Sequence, residues 1–510
     1  MTTTSKVLAG LVAALVLSGC GGVPVVNGPY PDDPQEFPKV KPFSAPSPPL
    51  PDPEPDGLTI TLTEFAQLPP STTNPPVPRG DKLDRHNRIN YLGELPDGSG
   101  RLYVPDLNGS LYFLRDGKPT KYLDVAKEVG PDLWTSRGFG SGFGFVAFHP
   151  DFARNGTFYT VHTEAGDALT TEKPDLGPSS DAVVHGVVTE WTTDDPRAGT
   201  FSGDRREVMR LAFPGYIHGI QQISFNPYAK PSNADYGRLY LAVGDGGAVG
   251  IAAEDGKEST VPQDLGVPQG KILRIDPRGN QGRGWVVPKE NPFVSRDGAL
   301  GEIYAIGLRD PYRFSWDRGF GRVRMVLGSM GENRAESIYE VRAGDNFGWP
   351  TVEGPFLARL LDNCDVAKLP GGPGDWPDFT YPVAAYSHRP AADSGPCDDT
   401  GYAVIGGFVY RGKLKALRGD YVFGDGVNGR MFHIDAARMS HGSALALVHE
   451  LTLREAGKQV TMRDIASDPA VLTAGKPRVD LRLGVDRSGE LYVLSKSNGK
   501  VWRITAASRD

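Results

Sequence analysis

The chain is 510 residues long, and its shortages are informative. It has three cysteines, too few for a disulfide scaffold. Its formal net charge of −7 has the wrong sign for a nucleic-acid binder, which presents a basic face. Beyond the first twenty residues, no stretch approaches the roughly 18 uninterrupted apolar residues of a membrane-spanning helix. Glycine and proline, by contrast, are abundant at 64 and 44 residues. Both break helices, so bundles and helical solenoids are excluded. Hydrophobic residues at 39 % and charged residues at 23 % are enough for a packed core and argue against a disordered chain. Many short strands joined by many turns remain, and all-β barrels and propellers of that kind run long as single domains.

The first residues are an address. Lys6 precedes the apolar run VLAGLVAALVL over residues 7–17, too short to span a bilayer. Leu17-Ser18-Gly19-Cys20 follows and resembles a bacterial lipobox, which implies cleavage after Gly19 and a lipid on Cys20. From Pro24 to Pro55 there are 12 prolines in 32 residues, the composition of a stiff, extended spacer. The expected organisation is a leader over 1–19, a lipidated tether over 20–57 and one domain over 58–510. The protein is then exported and held to a bacterial membrane by the lipid alone, facing the periplasm or the exterior. In such a compartment Cys364 and Cys397 are expected to form a disulfide.

From about residue 58 one pattern recurs: a glycine turn, an aromatic-rich strand, another turn. GRLYVPDLNGSLYFL from Gly100, GRLYLAVGDGG from Gly237 and GELYVLSKSNGKVWRI from Gly489 are examples. Asn-Gly, Asp-Gly and Ser-Gly between β-branched and aromatic runs are hairpin signals. Repeated hairpins without helical periodicity favour a β-propeller. The run LTITLTEFA from Leu58 is placed to pair with the C-terminal strands and close a ring.

Several residues are suited to chemistry. His218, in GYIHGIQQISFNP, enters a strand from a loop, where an imidazole can serve as general base. Arg309 and Asp310 sit in GLRDPYRFSWD, and an arginine there can orient an anion or a carbonyl. Gly244-Asp245-Gly246-Gly247 reads better as a turn than as a ligand loop. Glu332, Asn333 and Glu336 make an oxygen-rich cluster of the type that suits Ca²⁺.

In order along the chain, GFGFVAFHPDFARNGTFYTVHTE, the His218 phrase, GKILRIDP, EIYAIGLRDPYRFSWD and GSMGENRAESIYEVRAGDNFGWP resemble the glucose/sorbosone dehydrogenase family. The resemblance implies an all-β, six-bladed β-propeller that oxidises an aldose or related alcohol with pyrroloquinoline quinone (PQQ) and Ca²⁺. It implies that His218 takes the proton of the sugar hydroxyl and that Arg309 holds a quinone carbonyl. Asp310 stands where the family has Asn, and the backbone carbonyls of Gly331 and Glu332, with Glu336 nearby, match the calcium loop. A site glutamine of some members falls on Gly140 here. Where the family carries an Arg-x-Arg pair, this chain has Arg478 and Arg482, and Arg430 is a substitute cation for the cofactor. The other class of function is a propeller of the same descent that binds a sugar, polymer or protein without quinone.

Overall fold

The computed structural model describes residues 41–168, 174–177, 182–249, 260–279, 284–332, 334–360, 364–389, 395, 397–398, 400–473 and 475–509. The leader, Cys20 and the first part of the spacer therefore lie outside the described residues, as does Asn333.

Strands dominate, and the three α-helices among the described residues, Val125–Val129, Phe152–Asn155 and Met462–Ala466, have five residues or fewer. No helix is long and apolar enough to cross a membrane among these residues. Four sheets are four-stranded antiparallel meanders. Their first strands are Gly93–Glu94, Phe143–Phe148, Ile220–Phe225 and Asp310–Gly319. A nine-stranded sheet holds the rest of the ring, with inner strands Val404–Val409 and Leu481–Val485. Inner strands pack on one another around the ring, except that Phe143–Phe148 meets Leu102–Pro105 of the first sheet, and a bridge from Leu92 to Gly484 joins last to first. The result is an all-β propeller whose inner strands line a central channel.

Local chemistry explains the meanders. Asp116 and Gly117 both have positive φ, 50° and 75°, as a two-residue hairpin turn requires. They join Ser110–Arg115 to Lys118–Asp124. Between sheets, apolar faces interdigitate: Phe145, Val161, Leu241 and Trp285 share one buried cluster. Each such side chain contributes roughly 1.5–3 kcal/mol by leaving water.

The ring closes with the first strand. Glu54–Gln67 lies between His449–Glu455, to which it runs parallel, and Lys500–Arg509, to which it runs antiparallel. The C-terminal pairing agrees with the sequence reading, but the strand begins at Glu54 rather than Leu58. The spacer boundary also needs correction. Residues 41–53 lie against the propeller, with Phe43 stacked on Tyr381 at 4.3 Å and Leu50 N–H donating to Ser387 Oγ at 2.8 Å. Prolines stiffen this stretch, but its few apolar side chains still find partners. Cys364 and Cys397 are disulfide-bonded.

Candidate active site

Three loops meet at one mouth of the channel. The Gly244 N–H donates to Gly219 O, the Gly246 N–H to His218 O, and the Asp245 N–H to Arg309 O at 2.8 Å. The approach is so close that a Cβ on Gly244 would lie 2.4 Å from His218 O. His218 itself is left-handed, with φ 53°. That backbone turns its ring toward Asp245.

The His218 Nδ1–H donates to Asp245 Oδ1 at 2.7 Å. Asp245 is fully buried. Its Oδ1 also accepts the Gly247 N–H at 2.9 Å, and its Oδ2 accepts Trp349 Nε1–H at 3.1 Å. A carboxylate only accepts, so Nδ1 carries the hydrogen in the neutral ring and Nε2 keeps its lone pair. Nε2 faces Asp310 Oδ2 at 3.9 Å. Burial alone would lower the His218 pKa, but Asp310 and Asp245 outweigh it and Arg309, and raise it. The Asp310 pKa is also raised, by burial, against the pull of His218 and Arg309. Asp310 Oδ1 is buried and has no hydrogen-bond partner among the described residues. Gln221 reaches the Asp310 carboxyl, and its Oε1 lies 3.2 Å from where a Cβ on Gly140 would be. A glutamine from the inner strand Ile220–Phe225 therefore fills the space beside Gly140.

The other expected residues are distributed differently. Arg309 does reach this mouth, but its Nε donates to Glu332 Oε2 at 2.5 Å. Burial opposes its charge, and Glu332, Asp245 and Asp310 hold it firmly protonated. Gly331 is sterically required, since a Cβ there would lie 2.0 Å from Ala335 O. Glu336 is not part of this group. Its Oε1 pairs with His388 Nε2 at 2.7 Å and its Oε2 accepts the Val404 N–H at 2.8 Å. Arg430 is elsewhere too, bound to Asp52 at 3.0 Å and Glu450 at 2.6 Å on the strand edge.

The cations that do gather come from far apart in sequence and surround Tyr312 and Asp480. Arg313 donates to the backbone oxygens of Gln221 and Tyr312, stacks on Tyr312 at 4.2 Å, and leaves Nη2 buried without a partner among the described residues. Arg482 bonds Asn90 Oδ1 at 3.2 Å and lies over the Tyr312 ring. Arg85 and Arg478 both bind Asp480, a left-handed residue with φ 52°. Lys496 is buried, and burial together with Arg482 and Arg88 pushes its pKa well down despite Asp480. Burial raises Asp480 less than Arg478, Arg85 and Lys496 lower it, so it stays ionised. Among the described residues, no group of three His, Cys, Asp or Glu side chains is arranged to hold a metal.

Asp245, Trp349, Gln221, Arg313 and Lys496 were not legible as site residues. Asp245 sits in a glycine turn that also reads as a plain corner. The cations carry no local motif, because the ring alone brings them together.

The site can be set beside known proteins. A family model described as Glucose / Sorbosone dehydrogenase matches residues 90–357, just over half of the chain. The HIPL1 protein of Arabidopsis thaliana is 26 % identical over 494 residues, covering 86 % of this chain. This chain spans 64 % of the length of that plant relative. An aldose sugar dehydrogenase of Escherichia coli is 29 % identical over 336 residues, 65 % of this chain and 75 % of that protein. The human Hedgehog-interacting protein is 26 % identical over 433 residues, 81 % of this chain and 50 % of its own. Among solved structures, the PQQ-bound aldose sugar dehydrogenase of Streptomyces coelicolor aligns with a TM-score of 0.50 at 18 % identity. The alignment covers 88 % of this chain and 98 % of that one, and it establishes likeness of fold.

Proposed function

The chain belongs to the glucose/sorbosone dehydrogenase family, and from that premise we propose that it oxidises an aldose or a related alcohol with PQQ as hydride acceptor. The observation that carries this reading is the Asp245–His218 pair, with Nε2 open toward Asp310, beside a buried set of cations. The fold completes the proposal: the nine-stranded sheet reads as two blades fused through the first strand, giving six in all.

PQQ carries three carboxylates and needs cationic partners. Arg313, Arg482 and Lys496 fit that need, and the buried Nη2 of Arg313 is a donor without a partner among the described residues. When bound, the quinone supplies the acceptor for the hydride. His218 Nε2 then takes the proton of the reacting sugar hydroxyl. Asp245, braced by Trp349 and Gly247, fixes the ring and stabilises its charged form. Asp310 adds a second negative neighbour for that charge, and Gln221 holds Asp310 in place. Calcium would have to be held by the Gly331 and Glu332 carbonyls, because the Glu332 carboxylate is bound to Arg309 and the Glu336 carboxylate to His388. No step here passes through it.

The test is reconstitution of the full chain with PQQ, followed by equilibrium binding and by dye reduction with a panel of aldoses. Saturable quinone uptake and sugar-dependent dye reduction are expected. Absence of both overturns the enzyme reading and favours a binding module. Two observations favour that second reading: Arg309 is already engaged by Glu332, and Asp310 brings an anion to the site. The name of the human relative, Hedgehog-interacting protein, likewise points to a protein partner.

The leader and Cys20 support an exported lipoprotein. Cys20→Ser is expected to move the protein from the membrane fraction to the soluble fraction on cell fractionation. An unchanged distribution removes the lipid anchor from the proposal.

A further inference from the structure

The channel has a second mouth. The inner strands begin at the His218 end and run away from it. By Trp316, six residues beyond Asp310, they have advanced about 20 Å. There they open into a cavity of about 820 Å³. That volume suits a small organic ligand, for which pockets run from about 300 to 1,000 Å³. Arg313 separates the two ends, its guanidinium lying 4.9 Å from the Phe145 ring.

The walls are aromatic: Phe145, Phe148, Trp316 and Phe408 all line the cavity. Ser315 also lines it, and its hydroxyl is buried with no hydrogen-bond partner among the described residues. The charges at the rim are not balanced. Two of the rim carboxylates are paired with arginines, and two are held by backbone N–H groups. Asp97 pairs with Arg101 at 2.5 Å and Asp151 with Arg154 at 3.6 Å. Glu94 accepts the Arg487 N–H, and Asp486 accepts the N–H groups of Ser488 and Glu490. Arg115, Arg197 and Lys230 form no ion pair among the described residues, while Arg487 lies beside Glu94. A protein of net charge −7 thus presents available cations around an aromatic funnel.

We propose that this cavity binds an aromatic organic anion, its ring against Trp316 and the phenylalanines, its acidic group toward the rim cations and a polar atom within reach of Ser315. Ring stacking and cation attraction suit such a ligand together. A neutral saccharide would leave the cations unused. The site stands apart from the proposed quinone site and does not depend on it.

The probe is anilinonaphthalene sulfonate, titrated by fluorescence into the full chain. One saturable site is expected. Arg197→Glu combined with Lys230→Glu, both exposed and harmless to the fold, is expected to weaken binding about tenfold. Neutral phenylnaphthylamine, which lacks the sulfonate, should not respond to those substitutions. Non-saturable uptake, or affinity unchanged by the charge reversals, overturns the proposal. So does loss of binding in Arg482→Ala, since the probe would then sit at the His218 mouth.

Discussion

His218→Ala lowers kcat for the sugar by about 10²–10⁴-fold, the usual contribution of a positioned base, while PQQ uptake persists. His218 holds φ 53°, which alanine tolerates less well, so His218→Asn is the companion variant. Asparagine accepts that backbone and still removes the base, and an equal loss in both variants separates chemistry from strain. Asp245→Asn is expected to give a loss of similar order. Both Asp245 oxygens accept hydrogen bonds, from His218, Gly247 and Trp349. An amide has only one oxygen, so either Trp349 or the His218 ring must face an N–H. If the ring adjusts by moving its hydrogen to Nε2, the base is lost. The pH profile gives an independent reading. Neutral imidazole is the active form, and the raised pKa of His218 places the acid limb of kcat/KM above its ordinary value of about 6.5. Asp310→Asn removes the leading upward influence and moves that limb down. A rate unchanged in His218→Asn, or a limb unmoved in Asp310→Asn, removes these residues from their roles.

Asp480→Asn destabilises the quinone-free chain by about 3–5 kcal/mol, the cost of leaving buried charge uncompensated. The substitution keeps size and suits the left-handed backbone at φ 52°, so the loss is electrostatic. Arg85 and Arg478 bind Asp480 directly, and Lys496 and Arg482 lie within its influence. Total stabilities of roughly 5–15 kcal/mol make this a large fraction of the whole. The measurement is a denaturant midpoint at constant slope. A bound polyanion should restore part of the loss, about 2.7 kcal/mol at a hundred times its Kd. A shift below about 1 kcal/mol would show that the cations do not need their counter-charge.

Sequence and structure part company at identifiable places. The meanders were legible, because Asp-Gly and Asn-Gly turns between alternating aromatic runs dictate hairpins whatever surrounds them. LTITLTEFA was legible as a C-terminal partner, but not as a strand that also runs parallel to His449–Glu455. His218 and Arg309 carried recognisable phrases. Glu336 lay close to Glu332 in sequence, yet it sits in the strand Ala335–Val341 and its carboxylate turns to His388. The cation set spans Arg85 to Lys496, and no local pattern announces it. Nearness in sequence does not bring Glu336 to the site, whereas the ring brings residues of distant blades together.

The strand that completes the ring has a consequence for the order of events in folding. Glu54–Gln67 is made early, but its partners at His449–Glu455 and Lys500–Arg509 are made last. Contacts so remote in sequence are slow to form, and closing so long a loop costs entropy before any pairing repays it. Until the strand Lys500–Arg509 exists, the first strand can pair only with His449–Glu455, and the ring of blades stays open. Loss of the last ten residues would therefore leave two exposed edges rather than one frayed end. The molecule behaves like a clasped bracelet: each link can form early, but the circle holds only after both ends have arrived.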